Sequence, residues 1–157
     1  MSEYKTVGVL RKNQKFVFVK RVAENIDEIY CNDKMLNPIG YTSENTEYNI
    51  ICDDVAKLWL VINSEGNGMV IDETNGTYER VLINEVINDT NLWNISFNRG
   101  KIYIPDKDYL HIINTKNGVT KKMECREIMT PNSKLYDFNN EGFSVMTDQM
   151  LYEVRRG

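Results

Sequence analysis

Short runs of β-branched and aromatic residues recur along the chain, separated by polar turn residues. The four clearest runs lie at 16–19, 59–62, 102–104 and 143–146. Each reads as a short buried strand, because such residues favour a pleated, packed surface. No window keeps apolar residues at the i, i+3, i+4 and i+7 spacing of an amphipathic helix over three turns. Residues 126–134 have room for one helical turn at most, since Pro131 interrupts them. The pattern therefore predicts an all-β protein.

These strands recur at a nearly constant interval. Phe16, Trp59, Lys101 and Phe143 stand 43, 42 and 42 residues apart, and each opens or directly precedes one of the four runs. A further strand is predicted after each run, at 27–31, 68–72, 109–114 and 150–154, and another before each, at 4–10, 48–52, 92–97 and 134–138. Each unit thus contains three or four antiparallel strands in about 42 residues, a period typical of propeller blades.

Turn residues support the same division. Asn75-Gly76 and Asn117-Gly118 stand 42 residues apart, each between two predicted strands. Asn-Gly is the strongest short hairpin signal, since both central residues of a type I′ turn need a positive φ. The sequence therefore predicts a type I′ hairpin at each pair. Asn32-Asp33 lies at the corresponding place in the first unit.

The third unit shows the repeat most completely, from Ile95-Ser96-Phe97 through 100–106 (GKIYIPD) and 109–114 (YLHIIN) to Asn117-Gly118. This pattern of strands and turns resembles β-propeller blades, as an architecture rather than as one particular family. The resemblance implies four blade-like antiparallel repeats in one domain, 1–157, forming a small or incomplete β-propeller. A β-sandwich is the alternative. Phe16, Trp59, Tyr103 and Phe143 are then expected in the core between blades.

The fourth unit reaches Gly157 where its outermost strand would begin. An open sheet edge promotes association unless something covers it. Three interpretations follow. The N-terminal strand completes the last blade, or two chains form a homodimer through their open blade edges, or the sequence belongs to a longer protein.

Charge is unevenly distributed around a net value of −4. Residues 1–21 carry +5, residues 22–89 carry −11 and residues 90–157 carry +2. The acidic middle favours a basic partner, and nucleic-acid binding is not expected because no concentrated basic face is evident. Cys31, Cys52 and Cys125 form no metal-binding or disulfide pattern, so free thiols and a cytoplasmic location are expected. No apolar run is long enough for a membrane helix.

Catalytic and metal signals are weak. His111 is the only histidine and alternates with Tyr109 and Ile113 on one strand face, so it is interpreted as a packing residue rather than a catalytic one. Residues 63–68 (NSEGNG) resemble the start of a calcium loop, but Thr74 stands where the bidentate glutamate belongs. No catalytic residue, metal ligand or cofactor is predicted.

Acidic residues recur instead in equivalent turns. Glu24 and Asp27, then Glu65, then Asp106 and Asp108, then Asp148 occupy the same place in successive units. The links between units, 40–47, 83–91 and 126–133, are expected on the same face and to expose Tyr41, Asn45, Asn88, Asp89 and Asn132. The predicted partner-binding residues are Glu65, Asn67, Asp106, Asp108, Asp148, Tyr41, Asn88 and Asp89.

These features predict a non-enzymatic protein-interaction module that uses an acidic loop face, such as an inhibitor or immunity-type partner of a basic protein. One alternative is a lectin-like binder of glycans or small molecules that uses aromatic residues such as Tyr41 or Trp93. Another is a metal-assisted hydrolase or lyase that uses carboxylates near the ring centre.

Overall fold

The computed structural model describes residues 5–12, 14–41, 43–83, 86–147 and 150–155. They form four antiparallel sheets that follow one another along the chain. Sheet 1 contains β1 (Lys5–Lys12), β2 (Lys15–Ala23), β3 (Ile26–Cys31), β4 (Lys34–Met35) and β5 (Ile39–Gly40). Sheet 2 contains β6 (Tyr48–Asp53), β7 (Leu58–Asn63), β8 (Asn67–Asp72) and β9 (Tyr78–Leu82).

Sheet 3 begins after a single 3₁₀ turn, Leu92–Asn94, and contains β10 (Ser96–Asn98), β11 (Lys101–Asp106), β12 (Tyr109–Asn114) and β13 (Thr120–Glu124). Sheet 4 contains β14 (Lys134–Tyr136), β15 (Gly142–Met146) and β16 (Leu151–Arg155). Strands pair with their neighbours in sequence, apart from β5, which pairs with β3. The predicted all-β repeat architecture is confirmed, and the sandwich alternative is not observed.

The sheets pack face to face in series, as blades do. β1 contacts β6, and β6 contacts β10, so the first strands of sheets 1, 2 and 3 lie side by side. One apolar cluster joins sheets 1 and 2, a second joins sheets 2 and 3, and a third joins sheets 3 and 4. Among the described residues, no such cluster joins sheet 4 to sheet 1. The sheets therefore form an open arc with three inner junctions.

β7 contributes apolar side chains to the junctions on both faces of sheet 2. Trp59 and Val61 pack into the cluster with sheet 1, whereas Leu60 and Ile62 pack into the cluster with sheet 3. Because successive side chains in a strand point to opposite faces, a continuous apolar run fits a strand that is covered on both sides. All four side chains are essentially inaccessible to solvent.

A buried carboxylate ties two of the sheets together. Asp53, at the end of β6, accepts hydrogen bonds at Oδ1 from the backbone N–H groups of Val55 and Ala56. Its Oδ2 accepts a 2.7 Å hydrogen bond from the N–H of Gly100 in the β10–β11 turn of sheet 3. Asp53 thus shapes its own turn and fixes the neighbouring one.

The two Asn-Gly turns differ from the sequence prediction. Gly76 and Gly118 have φ values of +73° and +72°, but neither Asn75 nor Asn117 has a positive φ. The loops are longer than two residues, since the N–H of Asp72 bonds to the carbonyl of Thr77 and that of Asn114 to the carbonyl of Val119. The type I′ prediction is therefore wrong. Only glycine occupies the left-handed region in each loop.

Three other expectations need correction. β1 pairs with β2 inside sheet 1, so Lys5–Lys12 does not complete sheet 4, which has three strands among the described residues. Trp59, Tyr103 and Phe143 lie in junctions as predicted, but Phe16 is half-buried on the face of sheet 1 that points away from sheet 2. The segment predicted as a strand at 92–97 begins instead with the 3₁₀ turn.

Candidate protein-interaction surface

In sheets 1, 2 and 3, the turn that follows the second strand lies on the same side of the arc as the links between sheets. We call this side the loop end. Antiparallel pairing requires this placement, since the chain leaves each four-stranded sheet at the end opposite its first turn. Hydrogen bonds attach the links to the turns. Asn67 Nδ2 donates to the carbonyl of Gly40 at 3.3 Å, and Asn91 Nδ2 donates to that of Pro105 at 3.0 Å.

Asp27 and Tyr41 form a buried network rather than an exposed surface. Arg21 donates from Nε and Nη2 to the two carboxylate oxygens of Asp27, at 2.8 and 2.9 Å, and the Tyr48 hydroxyl donates to Oδ2 at 2.6 Å. The guanidinium carbon lies 3.9 Å from the centre of the Tyr41 ring. Hydrogen bonding to Asp27 raises the pKa of Arg21, and burial raises that of Tyr48.

The prediction that Tyr41 is exposed is therefore wrong. Its ring is 6% accessible and its hydroxyl donates to the carbonyl of Ala23. The physical reason is the Arg21 side chain, which covers the ring and reaches the Asp27 carboxylate beside it. Tyr41 and Asp27 position the link 40–47 against sheet 1.

Glu65 and Asn67 lie in the turn between β7 and β8 and are partly exposed. The Thr46 hydroxyl donates to Glu65 Oε2, which connects this turn to the preceding link. Asn63 is buried, and its Oδ1 accepts from the N–H groups of Glu65 and Asn67, both at 3.0 Å. The oxygen-rich residues 63–68 thus satisfy the backbone of their own turn.

Asp106 and Asp108 flank the turn between β11 and β12. Asp106 Oδ2 lies 3.4 Å from His111 Nε2, and its Oδ1 accepts from the N–H of Lys107. Asp108 has a φ of +65°, and its Oδ1 accepts from the N–H of Glu127 in the next link. His111 is 9% accessible, which fits its interpretation as a packing residue. The Asp108 side chain therefore attaches this turn to the link that follows sheet 3.

Asn88 and Asp89 are exposed in the link between sheets 2 and 3, and Asn45 and Asn132 are exposed in the other two links. Asn88 Oδ1 accepts from the N–H groups of Thr90 and Asn91, at 2.8 and 3.1 Å, so its side chain orders the link. The Asp89 side chain projects into solvent. Asp148 lies outside the described residues.

A groove that no pattern in the sequence indicates lies where the first strands of sheets 1 and 2 and the 3₁₀ turn meet the loop end. Its volume is about 560 Å³. Trp93 lies on one side, and Glu44, Asn45 and Glu47 of the first link line it as well. The start of β1, from Lys5 to Val7, contributes the opposite side. We call this the Trp93 groove.

Trp93 is held there by its neighbours in the 3₁₀ turn. Leu92 is fully buried in the junction between sheets 2 and 3, while the Trp93 side chain is 53% accessible. Asn94 Nδ2 donates to the carbonyl of Pro131 in the next link, at 2.9 Å. An anchored backbone thus presents a large aromatic ring at the surface. The sequence indicates Trp93 only as an aromatic residue at a junction between repeats, and it does not distinguish the exposed Trp93 from the buried Leu92 beside it.

Acidic side chains dominate the loop end. Exposed carboxylates come from Glu24, Glu44, Glu47, Asp89 and Glu127. The exposed basic residues of the described turns and links at this end are Lys107 and Arg126, and Lys5 and the partly buried Arg21 line the Trp93 groove. Neither Glu44 nor Glu47 makes an ion pair within the part of the chain that the structure describes. This end therefore attracts cationic groups.

The cysteine thiols are half-buried and unpaired. Burial raises the pKa of Cys31 and Cys125, and it raises that of Cys52 to about 11. They are therefore protonated at neutral pH and weakly nucleophilic. Within the described ranges, no group of three or more His, Cys, Asp or Glu side chains is arranged to hold a metal ion. In the same ranges, no helix has the length and apolar character to cross a membrane.

A scan against protein-family models finds no match, and neither does a search of curated proteins. Among solved structures, the chain is similar to the crystal structure of BamB from Moraxella catarrhalis, with a TM-score of 0.48 and 11% sequence identity. The alignment covers 91% of this chain and 46% of that one, so this chain spans about half the length of the BamB chain. No functional property is transferred at this level of similarity.

Proposed function

We propose that the protein is a non-enzymatic interaction module that captures a basic segment of a protein partner at its acidic loop end. The observation that carries the proposal is the Trp93 groove, in which an exposed tryptophan stands beside the carboxylates of Glu44 and Glu47. An inhibitor or immunity-type role toward a basic protein is the finer form of this proposal.

The groove offers two kinds of attraction to such a segment. The ring of Trp93 provides an apolar, rigid contact, and its face attracts the cationic head of lysine or arginine. The two glutamates add charge-assisted hydrogen bonds. Tryptophan is also the residue type most often found to dominate interface energy when a partner covers it.

Side-chain hydrogen bonds hold the links at the loop end in place before any partner binds. The bonds of Asn67 to Gly40, Asn91 to Pro105 and Asn94 to Pro131 attach the three links to neighbouring strands and turns. Binding to ordered loops loses less conformational entropy than binding to mobile ones. Asn67, Glu65 and Asp108 therefore support the surface, whereas Asp89, Glu44 and Glu47 are available to contact a partner.

The test uses a fluorescein-labelled arginine- and lysine-rich peptide and its glutamate-rich counterpart, with anisotropy measured at low salt. The basic peptide is expected to bind and the acidic one not to bind. The double variant Glu44→Gln with Glu47→Gln should weaken binding about 3- to 30-fold, since each exposed charge contributes up to about 1 kcal/mol. Trp93→Ala should weaken it by about tenfold or more.

A matched control removes two carboxylates away from the loop end. Asp33 lies in the β3–β4 turn at the other end, Glu79 lies on the outer strand β9, and both are exposed. The double variant Asp33→Asn with Glu79→Gln should bind the basic peptide nearly as well as the wild type. If it loses as much affinity as the glutamate variant, general charge explains the binding and the groove proposal fails.

A glycan binder is the second candidate, and the exposure of Trp93 beside Asn45 favours it, since sugars stack on aromatic rings and bond to amides. A glycan array separates the two functions. Sugar binding that is lost in Trp93→Ala but retained in the double glutamate variant supports the lectin-like function. Loss of peptide binding in both variants supports the basic-segment function.

A further inference from the structure

Sheets 1 and 4, at the two ends of the arc, each expose apolar side chains on the face that no described sheet covers. The equivalent positions of the inner sheets pack against a neighbouring sheet. Backbone pairing aligns Val9 with Phe18, Phe18 with Tyr30, and Tyr30 with Met35, which forms one row across sheet 1. This row points away from sheet 2, because Val17 and Val19 of the same strand fill the junction with that sheet.

The same row in the next sheet is buried. Ile50 pairs with Val61, and Val61 pairs with Met69. These three residues occupy the positions of Val9, Phe18 and Tyr30, and they pack against sheet 1. In sheet 4 the corresponding row is Leu135, Val145 and Tyr152, which packs against sheet 3. At this row, sheets 2 and 4 each pack against the sheet before them.

Sheet 1 has apolar residues in this row although none of the sheets in the described part of the chain covers it. Val9 is 64% accessible and Met35 is 50% accessible. Phe18 stacks on Phe16 and on Tyr30, with ring centres 5.6 and 4.8 Å apart. A row of aromatic and aliphatic side chains across all four paired strands is a continuous patch rather than scattered surface residues. We call it the sheet 1 face.

The opposite end of the arc carries the complementary face, on which apolar side chains stand among the exposed charged side chains of Lys134, Glu153 and Arg155. Met146 pairs with Leu151 in sheet 4, at the place that Val19 and Ile29 occupy in sheet 1. Val19 and Ile29 are buried against sheet 2. Met146 is 45% accessible and Leu151 is 58% accessible, and Tyr136 is exposed on the same side of β14. We call this the sheet 4 face.

We infer that two copies of this chain pair head to tail, with the sheet 4 face of each copy on the sheet 1 face of the other. The pairing continues the three inner junctions, since each of those also places the forward face of one sheet on the backward face of the next. One chain supplies both kinds of face, and no apolar cluster of its described residues joins sheet 4 to sheet 1. Two copies related by a two-fold axis form two identical junctions, which cover both faces of each copy.

The area agrees with a dissociable dimer. From the spacing of strands and the rise per residue, a face of three or four strands and five residues covers roughly 250–300 Å². Two junctions bury four such faces, roughly 1,000–1,200 Å², which is near the lower limit for specific interfaces. The contact is through sheet faces, and it does not need the strand-to-strand pairing expected at an open edge.

The test is absolute mass in solution, measured by sedimentation equilibrium across a dilution series. The expected species is a dimer of twice the chain mass of 18.3 kDa, dissociating on dilution. Phe18→Glu and Leu151→Glu should each give a monomer at concentrations where the wild type is dimeric. Val119→Glu is the matched control, since Val119 is 59% accessible in the β12–β13 turn and lies on neither face.

Mixing the two monomeric variants distinguishes head-to-tail pairing from other arrangements. The sheet 4 face of Phe18→Glu and the sheet 1 face of Leu151→Glu are both intact, so the mixture should form a weak heterodimer through one junction. If Leu151→Glu remains fully dimeric, sheet 1 faces pair with each other and the proposal is overturned.

Two further outcomes would also overturn the proposal. These are a monomeric wild type at sub-millimolar concentration and a mass that keeps growing with concentration. If Phe18→Glu does not fold by circular dichroism, Val9→Glu tests the same face, because Val9 is largely exposed.

Discussion

The inner junctions and the two end faces of the arc use the same positions of the repeat, yet they differ in what covers them. Trp59 in sheet 2 is 1% accessible in its junction, whereas Phe16, at the matching position of sheet 1, is half-buried on a face without a neighbouring sheet. The two positions carry the same kind of side chain, and their burial differs because a described sheet covers only one of them.

The largest expected effect comes from truncating these two matched side chains. Trp59→Ala should lower the free energy of unfolding by about 3–5 kcal/mol, since it empties a packed junction. Phe16→Ala should lower it by only about 1 kcal/mol, because Phe16 is partly exposed and stacks on one ring. Urea unfolding at low protein concentration measures both losses. Equal losses would mean that the sheet 1 face is covered within the single chain.

A buried hydrogen bond between sheets should give the next largest effect. Asp53→Asn replaces one acceptor oxygen by an amide group, so that either the N–H of Gly100 or the turn N–H groups lose their partner. The expected loss is about 1–3 kcal/mol. The same urea titration measures it, with Asp33→Asn, on an exposed turn, as the control. A loss below that of the control would show that Asp53 does not connect sheets 2 and 3.

The smallest effect is expected from the exposed ion pair between Lys12 in β1 and Asp54 in the turn after β6. Lys12 Nζ donates to the Asp54 carboxylate, and both side chains are about half exposed. The hydrogen bond from Lys12 holds the pKa of Asp54 below its ordinary value of 3.8. Because the pKa of Asp54 is lower in the folded protein than in the unfolded chain, the ion pair stabilises the fold fully above the ordinary pKa. This stabilisation is lost as the pH falls through the folded-state pKa.

The expected contribution of this pair is at most about 1 kcal/mol, because water and salt screen it. Thermal unfolding of the wild type and Asp54→Asn should therefore differ slightly at neutral pH and converge in acid or in high salt. A difference that grows toward low pH would contradict the assignment.

The sequence predicted the sheets well, because their signals are local. The runs at 59–62 and 102–104 are apolar on both sides, and a strand covered on both faces needs this composition. The 42-residue spacing of Asn-Gly pairs located two hairpins correctly, although their loops are longer than predicted. The 3₁₀ turn at Leu92–Asn94 was missed, since three residues carry no periodicity.

The binding surface was harder to predict because it depends on contacts between distant residues. Tyr41 looks exposed in a polar link, but Arg21, twenty positions earlier, covers its ring. Asp27 belongs to the same pattern of turn acids as Glu24, yet it lies inside an ion pair. The Trp93 groove combines residues of β1, the first link and the 3₁₀ turn, and no spacing along the chain brings these together.

Nearly every strand pairs with the strand just before or just after it in sequence, so most contacts within a sheet join residues that are close along the chain. A hairpin of neighbouring strands closes a small loop, and such local contacts form early and fast. Each sheet can therefore assemble while the ribosome is still adding the next one, and the completed sheet then offers a surface on which the following strands condense. Synthesis from one end builds the arc in spatial order, with the sheet 4 face completed last.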